Sequence, residues 1–156
     1  PDNFLNELNK KAKKMKILIL IKTHPLDDIQ KIQTNFSNIT FLSDKDLSKL
    51  NLDLHELISI SDGMLSDVSS VIIDYILMKK PLGLTTNFLK DFKRGLIKEL
   101  NFFNNLRYQN IKTLKDFEIF FKKVKKNETM NIDPKNLFYS KKATNSSKQI
   151  TNYFNI

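Results

Sequence analysis

Two hydrophobic rhythms alternate along this chain. Phe4, Leu5, Leu8 and Ala12 fall at helical spacing and predict a helix over residues 3–14. Lys16–Lys22 (KILILIK) is an apolar run held between lysines, the pattern of a strand covered on both faces in a parallel sheet. Pro25 marks a turn, and Leu26, Ile29 and Ile32 give one side of a predicted helix over residues 26–34. Ile39–Leu42 reads as a second strand, Leu54–Ile60 as a short helix, and Gly63–Leu65 as a third, weaker strand. The stretch Val71–Met78 is apolar on nearly all sides, which predicts a buried helix capped at Ser69 or a neighbour and ended by Pro81. Leu82–Leu84 is a fourth strand. Residues 112–126 form the clearest amphipathic helix, with Thr113 as its cap and Leu114, Phe117, Phe120, Phe121 and Val124 as its stripe. The tail after Asn127 is polar, with a last helix predicted over Ser146–Phe154.

Alternating strands and helices predict an α/β fold, a Rossmann-like parallel sheet with helices on both faces. No internal repeat and no Gly/Ser linker divides the chain, so residues 1–156 read as a single domain. The amino terminus, Pro1-Asp2-Asn3, reads as a point inside a longer protein.

Composition narrows the chemistry. The absence of cysteine excludes disulfides and thiolate metal sites. The longest apolar run, Ile17–Ile21, is too short to span a bilayer. A net charge of +9 raises the question of a nucleic acid, an anionic surface or an anionic substrate. Only Arg94 and Arg107 are arginines, and no recognition-helix or aromatic RNA-binding motif appears, so no nucleic-acid partner is expected. The runs Lys10-Lys11-Lys13-Lys14 and Lys122-Lys123-Lys125-Lys126 fall where helices should end, and there lysine complements the helix dipole without a partner. The three glycines, Gly63, Gly83 and Gly95, are too scattered for a dinucleotide fingerprint or a P-loop. Phosphate binding in this chain would therefore rely on a helix start dressed with hydroxyls.

Ligands of parallel α/β sheets bind beyond the carboxyl ends of the strands. Two loops at that edge carry polar chemistry: Lys22-Thr23-His24-Pro25 after the first strand and Ser66-Asp67-Val68-Ser69-Ser70 after the third, with Asp74 one helical turn further on. Together they suit a nucleoside diphosphate. Ser69 and Ser70 offer N–H and hydroxyl donors, His24 can donate to a phosphate or neutralise a leaving one, and Asp67 or Asp74 can hold ribose or polyol hydroxyls. Each residue also has a plain structural use: the serines as helix caps, Asp67 as a turn former, Asp74 as a satisfied acid. The weight lies in their being brought to one edge. His55 lies in a helical stretch without polar companions and reads as structural, away from that edge. No acidic pair of D-x-D type occurs in these loops, so neither a metal nor another cofactor is expected.

These residues resemble the CDP-glycerol glycerophosphotransferase family. Lys22-Thr23-His24-Pro25 after an apolar strand is similar to its strand–H-P element. Ser61 through Tyr75, followed by Lys80-Pro81, resembles its longest motif: S-D, two apolar residues, S/T-D-Y-S-S, three apolar residues, D, and later a basic residue before proline. Phe92-Lys93-Arg94-Gly95-Leu96 is similar to a weaker aromatic-x-R-G element, and Phe138–Phe154 to the closing helix. The sequence departs from the pattern at Val68, where the family has tyrosine, at Thr85-Thr86-Asn87, which lacks an expected aspartate, and at Leu96, which replaces an aromatic.

The resemblance implies the carboxyl-terminal half of a GT-B fold, holding a CDP-linked donor such as CDP-glycerol, with the catalytic base in an amino-terminal domain of the same protein. It implies a transferase building teichoic-acid-like or capsule-like polymer, and a membrane-bound, lipid-linked or polymeric acceptor. The expected location is the cytoplasm, peripheral at the inner face of the cell membrane. His24 then becomes the catalytic histidine, and Ser69, Ser70, Asp67, Asp74, Lys80 and Arg94 become donor-binding residues. A nucleotide-sugar glycosyltransferase of related layout is the alternative within the same class; a basic nucleic-acid-binding module is the alternative outside it.

Overall fold

The computed structural model describes residues 2–23, 35–67, 69–85 and 108–129. The predicted helices over residues 26–34 and Ser146–Phe154, the aromatic-x-R-G element, His24 and Arg94 lie outside the described residues. In chain order the elements are α1 (Asp2–Lys14), β1 (Ile19–Lys22), β2 (Ile39–Leu42), α2 (Asp44–Lys49), α3 (Leu54–Ile60), β3 (Met64–Ser66), α4 (Val71–Ile76), β4 (Leu82–Leu84), β5 (Gln109–Asn110) and α5 (Leu114–Lys125).

Every strand pairing among the described residues is parallel. β1 pairs with β2, Ile19 opposite Ile39. β4 lies between β3 and β5, with Leu65 opposite Gly83 and Gly83 opposite Gln109. The single expected sheet is thus present as two hydrogen-bonded ladders, of two and three strands. One hydrophobic core joins them: Ile19 and Ile21 of β1, Leu65 of β3, Ile111 after β5, Leu8 and Ala12 of α1, and Phe120 and Phe121 of α5 belong to the same cluster. A second cluster gathers Ile58 of α3, Ile72, Tyr75 and Ile76 of α4, and Leu82 and Leu84 of β4. Alternation along β4 explains the division. Leu82 and Leu84 point toward α3 and α4, while Gly83 points toward α5. The three-stranded ladder is therefore covered by helices on both faces, as its wholly buried central strand β4 requires.

Gly83 is small because side chains of β3, α5 and the turn after β5 close over the backbone there. A Cβ at that position would collide with the Leu65 side chain and come within 3.2 Å of Ile111 and 3.3 Å of Phe120. At Gly63 a Cβ would meet Val124 at 2.5 Å and Phe120 at 3.2 Å. Neither glycine has a positive φ. Lysine and asparagine take that role at the helix ends: Lys16 (φ 54°) after α1, Asn51 (φ 53°) after α2 and Asn127 (φ 49°) after α5. Each closes its helix by two reverse hydrogen bonds, as in Ile17 N–H to Ala12 O (2.9 Å) and Lys16 N–H to Lys13 O (3.0 Å). This closure also explains why β1 begins at Ile19 rather than at Lys16. The expected two-sided cover of β1 is likewise only partial, since Leu18 and Leu20 are exposed.

Capping boxes start α2, α3 and α5. Thr113 Oγ1 accepts from Asp116 N–H, as expected for that cap, and Asp116 accepts in return from Thr113 N–H. Bonds from the Lys112 N–H, the Thr113 hydroxyl and the Thr113 N–H hold the Asp116 carboxyl below its usual pKa. Two elements were not expected. α2 carries Ser43 and Asp46 at capping-box spacing, a signal present in the sequence, whereas the two-residue β5 has no pattern that marks it.

Candidate functional site at the carboxyl edge

The carboxyl edge of the three-stranded ladder is where β3 ends at Ser66 and β4 ends at Leu84. The two chain ends are tied there: Thr85 N–H donates to Ser66 O at 2.9 Å. At the corresponding end of β1, Thr23 N–H donates to Leu42 O at 3.1 Å. Lys22 Nζ is occupied by Thr23 O at 2.7 Å and by Asp44 at 2.9 Å. That lysine is therefore spent on local structure.

Ser66 leads through the exposed Asp67 to Ser69, Ser70 and the start of α4. Ser69 Oγ accepts from Val71 N–H at 3.4 Å, a long bond that agrees with a cap at Ser69. Ser70 is already in helical conformation (φ −63°, ψ −25°), and its side chain makes no capping hydrogen bond. Its hydroxyl is exposed and free of the helix. Asp74, on the fourth residue of α4, is about half-exposed. The structure thus brings Asp67, Ser69, Ser70 and Asp74 to one edge.

Two sequence expectations meet a different geometry. Lys80 precedes β4, so it stands at the opposite, amino edge of the same parallel strands. Its Nζ donates to Ser59 O (2.8 Å) and Ser61 O (2.7 Å), closing the carboxyl end of α3. Beside it lies a shallow cavity of about 170 Å³ lined by Asp62, Lys79, Lys80, Pro81, Asn127 and Glu128, with both signs of charge. Lys80 is not brought to the serines.

His55 moves the other way. Along the chain it has no polar companion, because Asp74 is nineteen positions away in a different helix. In the fold its Nε2 lies 3.6 Å from Asp74 Oδ2, so a histidine does stand beside the candidate site. No local spacing reports this contact between helices.

Tyr75, next to Asp74, faces inward. It is wholly buried, and its Oη has no hydrogen-bond partner among the described residues. Burial pushes its pKa up from 10.0 to about 12; the nearby Ser61 hydroxyl eases this and the Asp62 charge adds to it. The Ser61 hydroxyl itself donates to Ile58 O at 2.8 Å.

The edge therefore offers hydroxyl donors for an anion and carboxylates for hydroxyl groups. Among the described residues no group of His, Asp or Glu is placed to hold a metal ion. No helix among them is long and apolar enough to cross a membrane.

The family model described as CDP-Glycerol:Poly(glycerophosphate) glycerophosphotransferase matches residues 3–154. A search of curated proteins finds no match. Among solved structures the chain is similar to the wall teichoic acid polymerase TagF in a CDPG soak, at 16% identity and a TM-score of 0.49. The alignment covers 97% of this chain and 47% of that one, so this chain spans about half of the polymerase.

Proposed function

The chain belongs to the CDP-glycerol:poly(glycerophosphate) glycerophosphotransferase family, and from this premise we propose that it forms the donor-binding half of a GT-B transferase. The bound donor is CDP-glycerol or a close CDP-linked polyol. The group transferred is a phosphopolyol, delivered to a lipid-linked or polymeric acceptor at the inner face of the membrane for teichoic-acid-like or capsule-like polymer. The other half of the cleft, with the base that activates the acceptor, belongs to another domain of the same protein.

One observation carries this reading: the polar residues of the S-S…D motif stand together at the strand ends, and the Ser70 hydroxyl makes no capping bond and is exposed among the described residues. A diphosphate would be met by Ser70 and the N–H groups at the start of α4, where a developing negative charge on the leaving CMP is also steadied. Asp67 and Asp74 suit ribose or glycerol hydroxyls. His24 and Arg94 are proposed for the same site on the resemblance alone, His24 as the group that neutralises the leaving phosphate. Lys80 is left out of the proposed contacts because its ammonium already serves two carbonyls. In-line transfer needs an acceptor hydroxyl held against the phosphorus, and positioning two reactants contributes about 7–11 kcal/mol in favourable cases. A donor half alone binds without turning over.

Calorimetric titration tests this. CDP-glycerol should bind saturably, be displaced by CDP and lose little affinity between low and moderate salt. Binding that ignores CDP, falls steeply with salt and is displaced by an oligonucleotide would instead support a nucleic-acid module.

A further inference from the structure

We propose that the amino edge of the strands, opposite the candidate donor site, is a docking surface for an anionic lipid bilayer. The inference names the face through which the inner-face location proposed above is reached. It rests on that reading only for which membrane is meant, and the donor site plays no part in it.

The argument begins with charge. α1 ends in Lys13 and Lys14, and Lys16 follows before β1 begins. α5 ends beside Gly63, directly before β3, since a Cβ there would meet Val124 at 2.5 Å; Lys125 and Lys126 close that helix. The first turns of the two helices meet through Phe4 and Phe117, with ring centroids 5.8 Å apart, so both carry their lysines at the far end. Lys79 stands in the turn before β4. All of these lysines are exposed, and none has an ion pair or a hydrogen-bond partner for its ammonium among the described residues. Lys80 and Lys123 beside them are by contrast spent on carbonyls and on Gln109. The acids near Lys79 are Asp62 and Glu128, at the shallow cavity, and they leave the edge positive. Acids instead follow the carboxyl ends of the strands: Asp44 after β2, Asp67 after β3 and Asp116 after β5.

The helix dipole explains lysine in a last turn, but not Lys16 and Lys79, which lie beyond their helices. Both have left-handed backbone (φ 54° and 55°), which glycine adopts with less strain. Apolar side chains are interleaved with this charge. Leu18 before β1, Ile60 at the end of α3 and Leu77 at the end of α4 are 62%, 66% and 45% exposed. A linear polyanion calls for positive charge alone. A bilayer surface takes lysine at its headgroups and apolar side chains at the acyl boundary, and the mixture matches it. A chain docked by this edge turns Ser70 and Asp74 away from the bilayer, toward the water-soluble nucleotide.

Vesicle flotation tests this. Vesicles of about one-third phosphatidylglycerol in phosphatidylcholine should bind the chain, less so as salt rises, and pure phosphatidylcholine vesicles should not. Lys79→Gln, Lys125→Gln and Lys126→Gln together should weaken binding about a hundredfold, from about fivefold per lysine at a bilayer surface. Lys45→Gln, Lys112→Gln and Lys115→Gln remove the same charge from the carboxyl edge and should cost less than about fivefold in total. Leu18→Ser with Ile60→Ser, both exposed and so compatible with the fold, should weaken vesicle binding about tenfold. The same pair should leave any binding of a DNA oligonucleotide unchanged. The proposal is overturned if the parent chain ignores the anionic vesicles. It is overturned if the two sets of lysine variants lose equally, because net charge then acts without a docking face. It is also overturned if the serine pair binds vesicles as the parent does, which would point to a linear polyanion as the partner. CDP affinity should be the same in the Lys79, Lys125 and Lys126 variant as in the parent. A parent that binds vesicles but no CDP would sink the donor reading and leave this surface standing.

Discussion

The two edges of the β3–β4 pair use polar residues in opposite ways. At the amino edge, Lys80 spans two carbonyls of α3, and Gly63 is pressed beneath Val124 and Phe120. At the carboxyl edge, only a few residues along the same strands, the Ser70 hydroxyl makes no helix-capping bond, Asp67 is exposed and Asp74 has a single loose partner. The amino-edge groups are satisfied by the fold, whereas the carboxyl-edge groups keep donors and acceptors open to solvent among the described residues. The difference separates a lysine-bearing turn before β4 from a serine-bearing turn after β3, both of which look polar in sequence.

Substitutions of residues packed within the ladder or at its amino edge should change stability and leave nucleotide binding alone. Gly83→Ala is the largest expected effect. The added methyl has no room between Leu65, Ile111 and Phe120, and overpacking of this kind costs about 1–3 kcal/mol by denaturant unfolding. A neutral result would mean that the Leu65 side chain swings aside to make room for the methyl. Lys80→Met should come next, costing about 1–2 kcal/mol through two lost bonds from a charged donor, with CDP affinity unchanged. Lost CDP binding at unchanged stability would return Lys80 to the donor site and dissolve the contrast between the edges.

Tyr75→Phe probes the boundary between them and should have the smallest effect. The phenol is buried without a hydrogen-bond partner among the described residues, so removing it should be neutral or stabilising by up to about 1 kcal/mol. Its folded-state pKa is raised from 10.0 to about 12, so burial favours the protonated form. The parent chain should keep its stability below pH 10 and lose part of it as pH rises through about 12. The Phe variant should lack that contribution to the alkaline loss. A marked drop in stability for Tyr75→Phe would show that the hydroxyl has a partner after all.

Much of the scaffold was legible because burial writes a period into the sequence. The α5 stripe and its Thr113 cap, Ile39–Leu42 and Leu82–Leu84 all appear at or near their expected bounds. Two short elements were harder. α2 was signalled only by the Ser43–Asp46 capping box, and β5 offers two residues with no rhythm to read. The edge residues Ser69, Ser70 and Asp74 were legible because they are contiguous with a helix start. Lys80 illustrates the converse: a basic residue before proline reads the same whether it serves a ligand or a neighbouring helix, and only its two carbonyl partners decide. His55 needed the packing of α3 against α4, which no spacing along the chain encodes.

The most direct test of the account is an NMR titration of isotope-labelled chain with CDP. The largest shift changes should fall at Ser66, Asp67, Ser69, Ser70 and Asp74, while Ser61, Asp62, Lys79 and Lys80 stay still. Ser70→Ala should weaken the binding by about 1 kcal/mol or somewhat more, as loss of one bond to a charged group requires, without lowering stability. Shifts centred on Lys79, Lys80 and the lysine-rich helix ends, with Ser70→Ala indistinguishable from the parent, would contradict it.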